Sequence, residues 1–226
     1  MHWKLAYITH VHKGHGARED LLSSDRPIAY TSIVCRTFEH VLNAKIHAHL
    51  ETHGLLSPAQ DGFRRNRSCE TARGFLVNIA RAHLDERTPY ELIQLDMPPA
   101  FDRVQHPALL GSIEAKVISG TVLSLTSSFL SNRTQRVTYR GVASSRRAVL
   151  AGISEGSVLG PTLSTIYIDS ITQNVTSIPF LYADDIALLQ PIHKPSDYVS
   201  FKLTLTLVIS ELSDTNFLSA ATNRVQ

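Results

Sequence analysis

Residues 178–189 read Ile-Pro-Phe-Leu-Tyr-Ala-Asp-Asp-Ile-Ala-Leu-Leu, two short apolar runs around a polar centre. That is the pattern of a tight β-hairpin with Ala183, Asp184 and Asp185 at or near its tip. A second apolar stretch, Tyr90–Asp96 (YELIQLD), reads as a strand buried on much of both faces and ending in a carboxylate. Pro98 and Pro99 break any regular continuation. If that strand lies beside the hairpin, carboxylates from two elements converge at one sheet edge. Like charges so placed are costly without a counter-ion. The usual relief is a hard divalent cation held by oxygen ligands, Mg²⁺ above all. Two such ions clamp the attacking and leaving oxygens of a phosphoryl transfer. For Asp184 and Asp185 two readings stay open: solvated turn residues, a favoured use of Asp, or metal ligands.

Outward from the hairpin, helical and strand patterns interleave. Val34, Phe38, Val41, Leu42, Ile46 and Leu50 fall at helical spacing with Gly54 as a stop. Ser57–Arg67 reads as a basic loop. Ser68 is placed to cap a second helix with Ala72, Phe75, Leu76, Ile79 and Leu84 on one side. Ala108–Ile118 reads as a helix. Gln135–Tyr139 and Arg146–Leu150 read as strands around a turn at Gly141. Ser157–Ile171 reads as a capped helix, with Pro161 tolerable only near its first turn. The tail from Phe201 to Ile209 is ambiguous, its apolar residues alternating with period 2, which argues for a strand. Ala17–Pro27 is polar and reads as loop. The sum is an α+β fold.

Composition bounds the rest. The chain has 226 residues, 43% hydrophobic and 19% charged, which excludes a highly charged disordered chain and a collagen-like one. With 22 Lys+Arg against 20 Asp+Glu the net charge is +2, so any nucleic-acid contact comes from a local patch. Two cysteines, Cys35 and Cys69, exclude a disulfide scaffold and a Cys-rich zinc module, and are expected as buried reduced thiols. His49 and His53, at i and i+4, have the spacing of a zinc pair, but no Cys or HExxH pattern accompanies them. The N-terminus lacks a signal-peptide pattern and no stretch is long and apolar enough to span a bilayer. The expectation is a soluble intracellular protein without membrane contact, nucleus and cytoplasm left unresolved.

Tyr182–Ala183–Asp184–Asp185 matches the YADD box of reverse transcriptases, and further matches follow in order. Leu95–Asp96 with Ala100–Phe101–Asp102–Arg103–Val104 resembles the LDxxxAFDRV box of non-LTR (LINE-like) retrotransposon polymerases. Gly152–Pro161 (GISEGSVLGP) resembles their GVPQGSVLGP box. Arg26–Pro27–Ile28 with Thr31–Ser32, Gln60–Arg64 with Arg67–Ser68, and Ser128–Val137 resemble three further segments. The resemblance runs from about Trp3 to the last residues. It implies a right-hand polymerase with fingers over 1–89 and palm over 90–226, its boxes at 95–104, 152–161 and 180–187. The palm would be an antiparallel sheet packed on helices, with the thumb absent.

The implied activity is RNA-directed DNA polymerisation, adding dNTPs to a primer 3′-hydroxyl by two-metal phosphoryl transfer on an RNA or DNA template. By resemblance Asp96, Asp184 and Asp185 are the catalytic metal ligands, for Mg²⁺ with Mn²⁺ as a substitute. Phe101 falls where the family excludes a ribose 2′-hydroxyl, with an ordinary core Phe as the other reading. Arg26 falls where the family holds the incoming triphosphate, with a solvated loop arginine as the other reading. Gly156 and Ser157 match the turn and helix start beside the nucleotide and template. Arg64, Arg65 and Arg67 read equally as a template-phosphate track or as a solvated basic loop. Departures stand beside the matches. Pro98 and Pro99 delete backbone N–H groups from a turn that faces the triphosphate in the family. Glu155 replaces a glutamine. No lysine follows Lys202, near the segment 218–223 where the family has one. A thumb and an endonuclease domain are expected as partners missing from this chain. The alternative is therefore an inactive, truncated retroelement remnant that retains only nucleic-acid binding.

Overall fold

The computed structural model describes residues 2–14, 16, 18, 21, 24–95, 104–171 and 175–214. Two sheets and six α-helices make up the chain as described. The first sheet opens with β1 (Leu5–His12) and β2 (Asp25–Tyr30), an antiparallel pair that the sequence pattern does not announce. Helix α1 (Ile33–Thr52) follows, its N-terminus capped by Ser32, which accepts from the Cys35 amide. Helix α2 (Cys69–Asp85) starts at Ser68 as expected, through a capping box in which Ser68 and Thr71 bond each other's backbone. Strand β3 is Tyr90–Leu95. Helices α3 (His106–Ala115) and α4 (Gly120–Leu130) lead to β4 (Arg133–Tyr139), β5 (Val142–Ala143) and β6 (Arg147–Val149). Strand β4 pairs in parallel with β1, so residues 133–149 complete the first sheet. Helix α5 (Gly160–Ile171), the hairpin β7 (Ile178–Tyr182) and β8 (Asp185–Pro191), and helix α6 (Pro195–Asp214) close the described chain.

The second sheet has the antiparallel order β3-β8-β7, with β8 of the expected hairpin as its central strand and β7 at its edge. Both of its faces are covered. Leu181, Ile186 and Leu188 enter the main core with Leu163 and Ile166 of α5 and Ile46 and Leu50 of α1. Phe180, Ala187 and Leu189 face the other way, onto Leu76, Ile79 and Ala80 of α2. Burial on two faces is why β8 reads as an unbroken apolar run rather than an alternating one.

Several expectations are corrected. Residues 201–209 are helical, within α6, because the buried positions are Phe201, Thr204 and Val208, at helical spacing, while Leu203 and Leu207 are exposed. The period-2 run straddles two helix faces. In α1 the buried stripe is Cys35, Glu39, Leu42, Ile46 and Leu50, so Val34 and Val41 face solvent. In α2 no residue is fully buried, and Phe75 and Leu84 are largely exposed. That is also why Cys69, in the first turn of α2, is exposed, while Cys35 is buried as expected; both are free thiols. Burial is the main cause pushing the Cys35 thiol up, aided by its hydrogen bond to Glu39. Helix α5 begins at Gly160 rather than Ser157, and α3 ends at Ala115. The segment 218–223 lies outside the described residues.

Candidate active site

The hairpin turn is the two-residue loop Ala183–Asp184, closed by the pair Tyr182↔Asp185. Ala183 carries φ 58°, a left-handed conformation unusual outside glycine. Asp184 is half-buried and Asp185 exposed. Strand β3 enters from the side: Leu95, its last residue, pairs with Ile186, the neighbour of Asp185. The next residue in the chain, Asp96, lies outside the described residues, as does Phe101. The structure thus delivers the end of β3 to the acidic turn.

A brace holds that turn. The 57–62 loop runs along the outer edge of β7: the Leu181 amide donates to Ala59 O (3.0 Å) and the Asp61 amide to Leu181 O (2.9 Å). Gly62 sits directly against Ala183, and a Cβ there would overlap the Ala183 amide nitrogen. Gln60 is fully buried, and its Oε1 accepts from the Gly62 amide at 2.8 Å. Two arginines clamp this loop. Arg64 makes a two-pronged pair with Glu51 (2.8 and 2.7 Å) and donates to Ser57 O (3.0 Å). Arg67 donates to Asp61 Oδ1 (2.7 Å) and to Pro58 O (2.6 Å). The Arg64 hydrogen bond is the main cause holding the Glu51 carboxyl below its ordinary range. Beneath the loop, Asp169 of α5 accepts from the Ser57 amide at 2.6 Å and pairs with Lys116, itself bonded to Leu55 O at 2.6 Å. Lys116 and Asp169 are both buried. Of the three arginines named from the sequence, only Arg65 is exposed.

A second assembly carries Arg26, Gly156 and Ser157. Arg26 is exposed on β2, opposite Val11. The Ala29 amide donates to Glu155 O at 2.8 Å, tying β2 to the 152–157 loop. Gly156 has φ 95°, and a Cβ there would lie 3.0 Å from Ala29 O, so this contact requires glycine. Ser157 is buried and its Oγ accepts from the Gly160 amide at 3.0 Å, capping α5 from three residues upstream. Glu39, wholly buried in α1, accepts from the Val158 and Leu159 amides at 2.7 and 3.2 Å. It thereby fixes this loop to α1. A lone carboxylate on an otherwise apolar helical stripe was the sequence signal for it; Asp169 shows the same signal in α5. The second assembly is tied to the segment that opens α3: the Gly152 amide donates to Val104 O at 2.8 Å, and His106 Nε2 lies 2.8 Å from Gly152 O.

Among the described residues no group of three His, Cys, Asp or Glu is gathered for a metal. The turn offers two carboxylates whose oxygens suit a hard divalent cation. His49 and His53 stack at 4.5 Å between ring centres, but His49 Nε2 is 3.1 Å from Lys116 O and His53 Nδ1 2.9 Å from His49 O. Both nitrogens have backbone partners. No described helix is long and apolar enough to cross a membrane.

The chain thus presents two sheets and an acidic hairpin turn braced by the 57–62 loop, and its family follows from comparison with known proteins. Residues 11–217 match the reverse transcriptase (RNA-dependent DNA polymerase) family, and the chain belongs to that family of nucleotidyltransferases. It is 30% identical over 196 residues to a probable RNA-directed DNA polymerase from transposon BS of Drosophila melanogaster, covering 83% of this chain and 21% of that protein. It is 29% identical to the RNA-directed DNA polymerase of the mobile element jockey of Drosophila melanogaster, over 83% of this chain and 21% of that protein. The chain thus spans about a fifth of the length of these relatives. In fold it is similar to apo telomerase from Candida tropicalis truncated from its C-terminal domain (TM-score 0.59, 14% identity, 95% of this chain and 48% of that one). It is likewise similar to telomerase from Candida albicans (TM-score 0.61, 12% identity, 89% and 40%). The fold is that of a fingers–palm reverse transcriptase.

Proposed function

We propose that this chain is the fingers and palm of an RNA-directed DNA polymerase, with fingers over 1–89 and palm over 90–226. The observation that carries the reading is the delivery of the β3 end to the Asp184–Asp185 turn. Asp184 and Asp185, with Asp96, are the groups to hold Mg²⁺ or Mn²⁺. Such an ion supplies charge neutralisation at the phosphoryl oxygens and a lower pKa for the attacking hydroxyl. The chain's own residues do the positioning. Arg26 binds the triphosphate by its guanidinium fork. Gly156 lets the nucleotide approach the backbone, and Glu39 keeps the 152–159 loop in register with α1. The Ala183 turn, propped by Gly62, holds both carboxylates at one edge. Phe101 screens the sugar. The primer 3′-hydroxyl gives its proton to solvent as its oxygen bonds to the dNTP α-phosphorus, and pyrophosphate leaves with the electrons of the broken P–O bond.

The test is primer extension on an RNA template with dNTPs and Mg²⁺, run beside Asp184→Asn. Extension by the parent and none by Asp184→Asn is expected. Extension that survives Asp184→Asn overturns the assignment. A silent parent together with an active Pro98→Ser/Pro99→Lys variant identifies a site disabled by its turn, the inactive reading that the two prolines favour.

A further inference from the structure

Gln60 is held through both polar atoms of its backbone. Its amide donates to Ser57 O at 3.1 Å, and its carbonyl accepts from Arg64 (3.3 Å) and Arg67 (3.4 Å). It is the residue that faces Leu181 across the bridge to β7. Its wholly buried side chain turns back on its own loop, where Oε1 accepts from the Gly62 amide. That bond fixes which way the side-chain amide points, because the flipped group would set two donors face to face. Nε2 is then buried with no partner among the described residues. A buried donor without an acceptor is costly, and an apolar side chain of the same shape would avoid that cost. What the glutamine supplies in exchange is the Oε1 bond that sets the Gly62 backbone. Gly62 is the contact point with the acidic turn: a Cβ there would lie 2.1 Å from Ala183 N and 2.8 Å from Ala183 Cα, against an ordinary contact of 3.4 Å or more. The loop has little room to yield, since Ser57 is tied to Asp169, Arg64 to Glu51 and Arg67 to Asp61. A displaced residue 62 therefore displaces the turn.

We propose that Gln60 is a positioning residue for the acidic turn: by holding Gly62 against Ala183 it sets the placement of the Asp184 and Asp185 carboxylates, and with it their affinity for a divalent cation. Metal–ligand distances tolerate errors of only about 0.2 Å. The gap between 2.1 and 3.4 Å at Gly62 is several times larger, so a shift passed along this contact is enough to spoil ligation. Groups that orient metal ligands without touching the ion typically change its affinity about 10- to 100-fold when removed. Gln60 acts from a segment more than 120 residues upstream of the turn, through one side-chain bond and one backbone contact. The inference rests on the polymerase reading for the presence of a cation at the turn.

The experiment titrates Mn²⁺ into the whole chain and reads the free aqua ion by electron paramagnetic resonance, which needs no primer, template or turnover. A thermal melt by circular dichroism accompanies each variant. Binding by the parent that is lost in Asp184→Asn places the ion at the turn. Gln60→Met keeps the side-chain volume but removes the acceptor for the Gly62 amide, and is expected to weaken Mn²⁺ binding about 10-fold. Gly62→Ala pushes on the turn directly and should weaken it by about 100-fold. Gly74→Ala is the matched control, a glycine of α2 with open space around it, expected within about twofold of the parent. If Gly62→Ala does not fold, Gln60→Met decides alone. A folded Gln60→Met that melts earlier yet binds Mn²⁺ as the parent does overturns the inference and leaves the polymerase reading standing. Failure of both variants to fold assigns Gln60 to the fold alone and overturns it as well. A parent that binds no Mn²⁺, or binding that survives Asp184→Asn, removes the cation from the turn and sinks both.

Discussion

Arg64, Arg65 and Arg67 come from a run that looks much like Arg146 and Arg147, yet the two groups end in opposite situations. Arg64 and Arg67 lie within reach of Glu51 and Asp61 and spend their donors on those carboxylates and on the carbonyls of the 57–62 loop. Arg146 and Arg147 sit in a stretch with no acid and stay open to solvent. The same side chain is a clamp in one place and a cationic surface in the other. What separates them is the supply of carboxylates and backbone oxygens within a few ångströms, which spacing along the chain does not disclose.

The sharpest way to break this contrast is to attack the base of the clamp. Lys116→Ala leaves Asp169 buried without its cation and should cost ~3–5 kcal/mol in denaturant unfolding. A loss below ~1 kcal/mol would mean that the pair does not hold the loop. Next comes Arg64→Ala, which strands a partly exposed Glu51 and two loop carbonyls; ~2 kcal/mol is expected by the same measurement. Glu51→Gln carries a pH signature. Arg64 lowers the folded-state Glu51 pKa below its ordinary 4.5, so the stability this pair gives is fully present above that value. It is lost as pH falls through the lowered folded pKa. The gap between parent and Glu51→Gln should therefore be constant from pH 7 to about 5 and close in more acid solution. A gap independent of pH would show that the pair has no ionic component. The smallest effect belongs to Arg65→Ala, an exposed residue outside the clamp, expected within ~0.5 kcal/mol of the parent. A larger change would place Arg65 with Arg64 and Arg67.

Much of the fold was legible because its signals are local. Paired apolar runs around Ala183–Asp184–Asp185 specify a hairpin, and Ser68 with Thr71 specifies a helix start. The apolar runs placed Asp184 and Asp185 at the hairpin turn where the structure has them, whereas Ser157, expected to start a helix, lies in the loop ahead of Gly160. The misses are non-local. Strands β1 and β2 mix apolar residues with Tyr, His and charged or polar side chains and carry Pro27, so pairing with each other and with β4 is what makes them strands. The run 201–209 alternates by accident of composition, and packing chose the helical stripe. The roles of Glu39, Lys116 and Asp169 depend on partners 53 to 120 residues away, beyond any pattern read along the chain.

The bridge between Gln60 and Leu181 has a consequence besides support. Strand β7 is the outermost strand of its sheet, and outermost strands are where foreign chains add themselves and aggregation begins. Here Ala59 and Asp61 already occupy the amide and carbonyl of Leu181. The segment that props the acidic turn also seals the border of the sheet that carries it, so the protein protects its acidic hairpin from misassembly with residues 57–62 of its own chain.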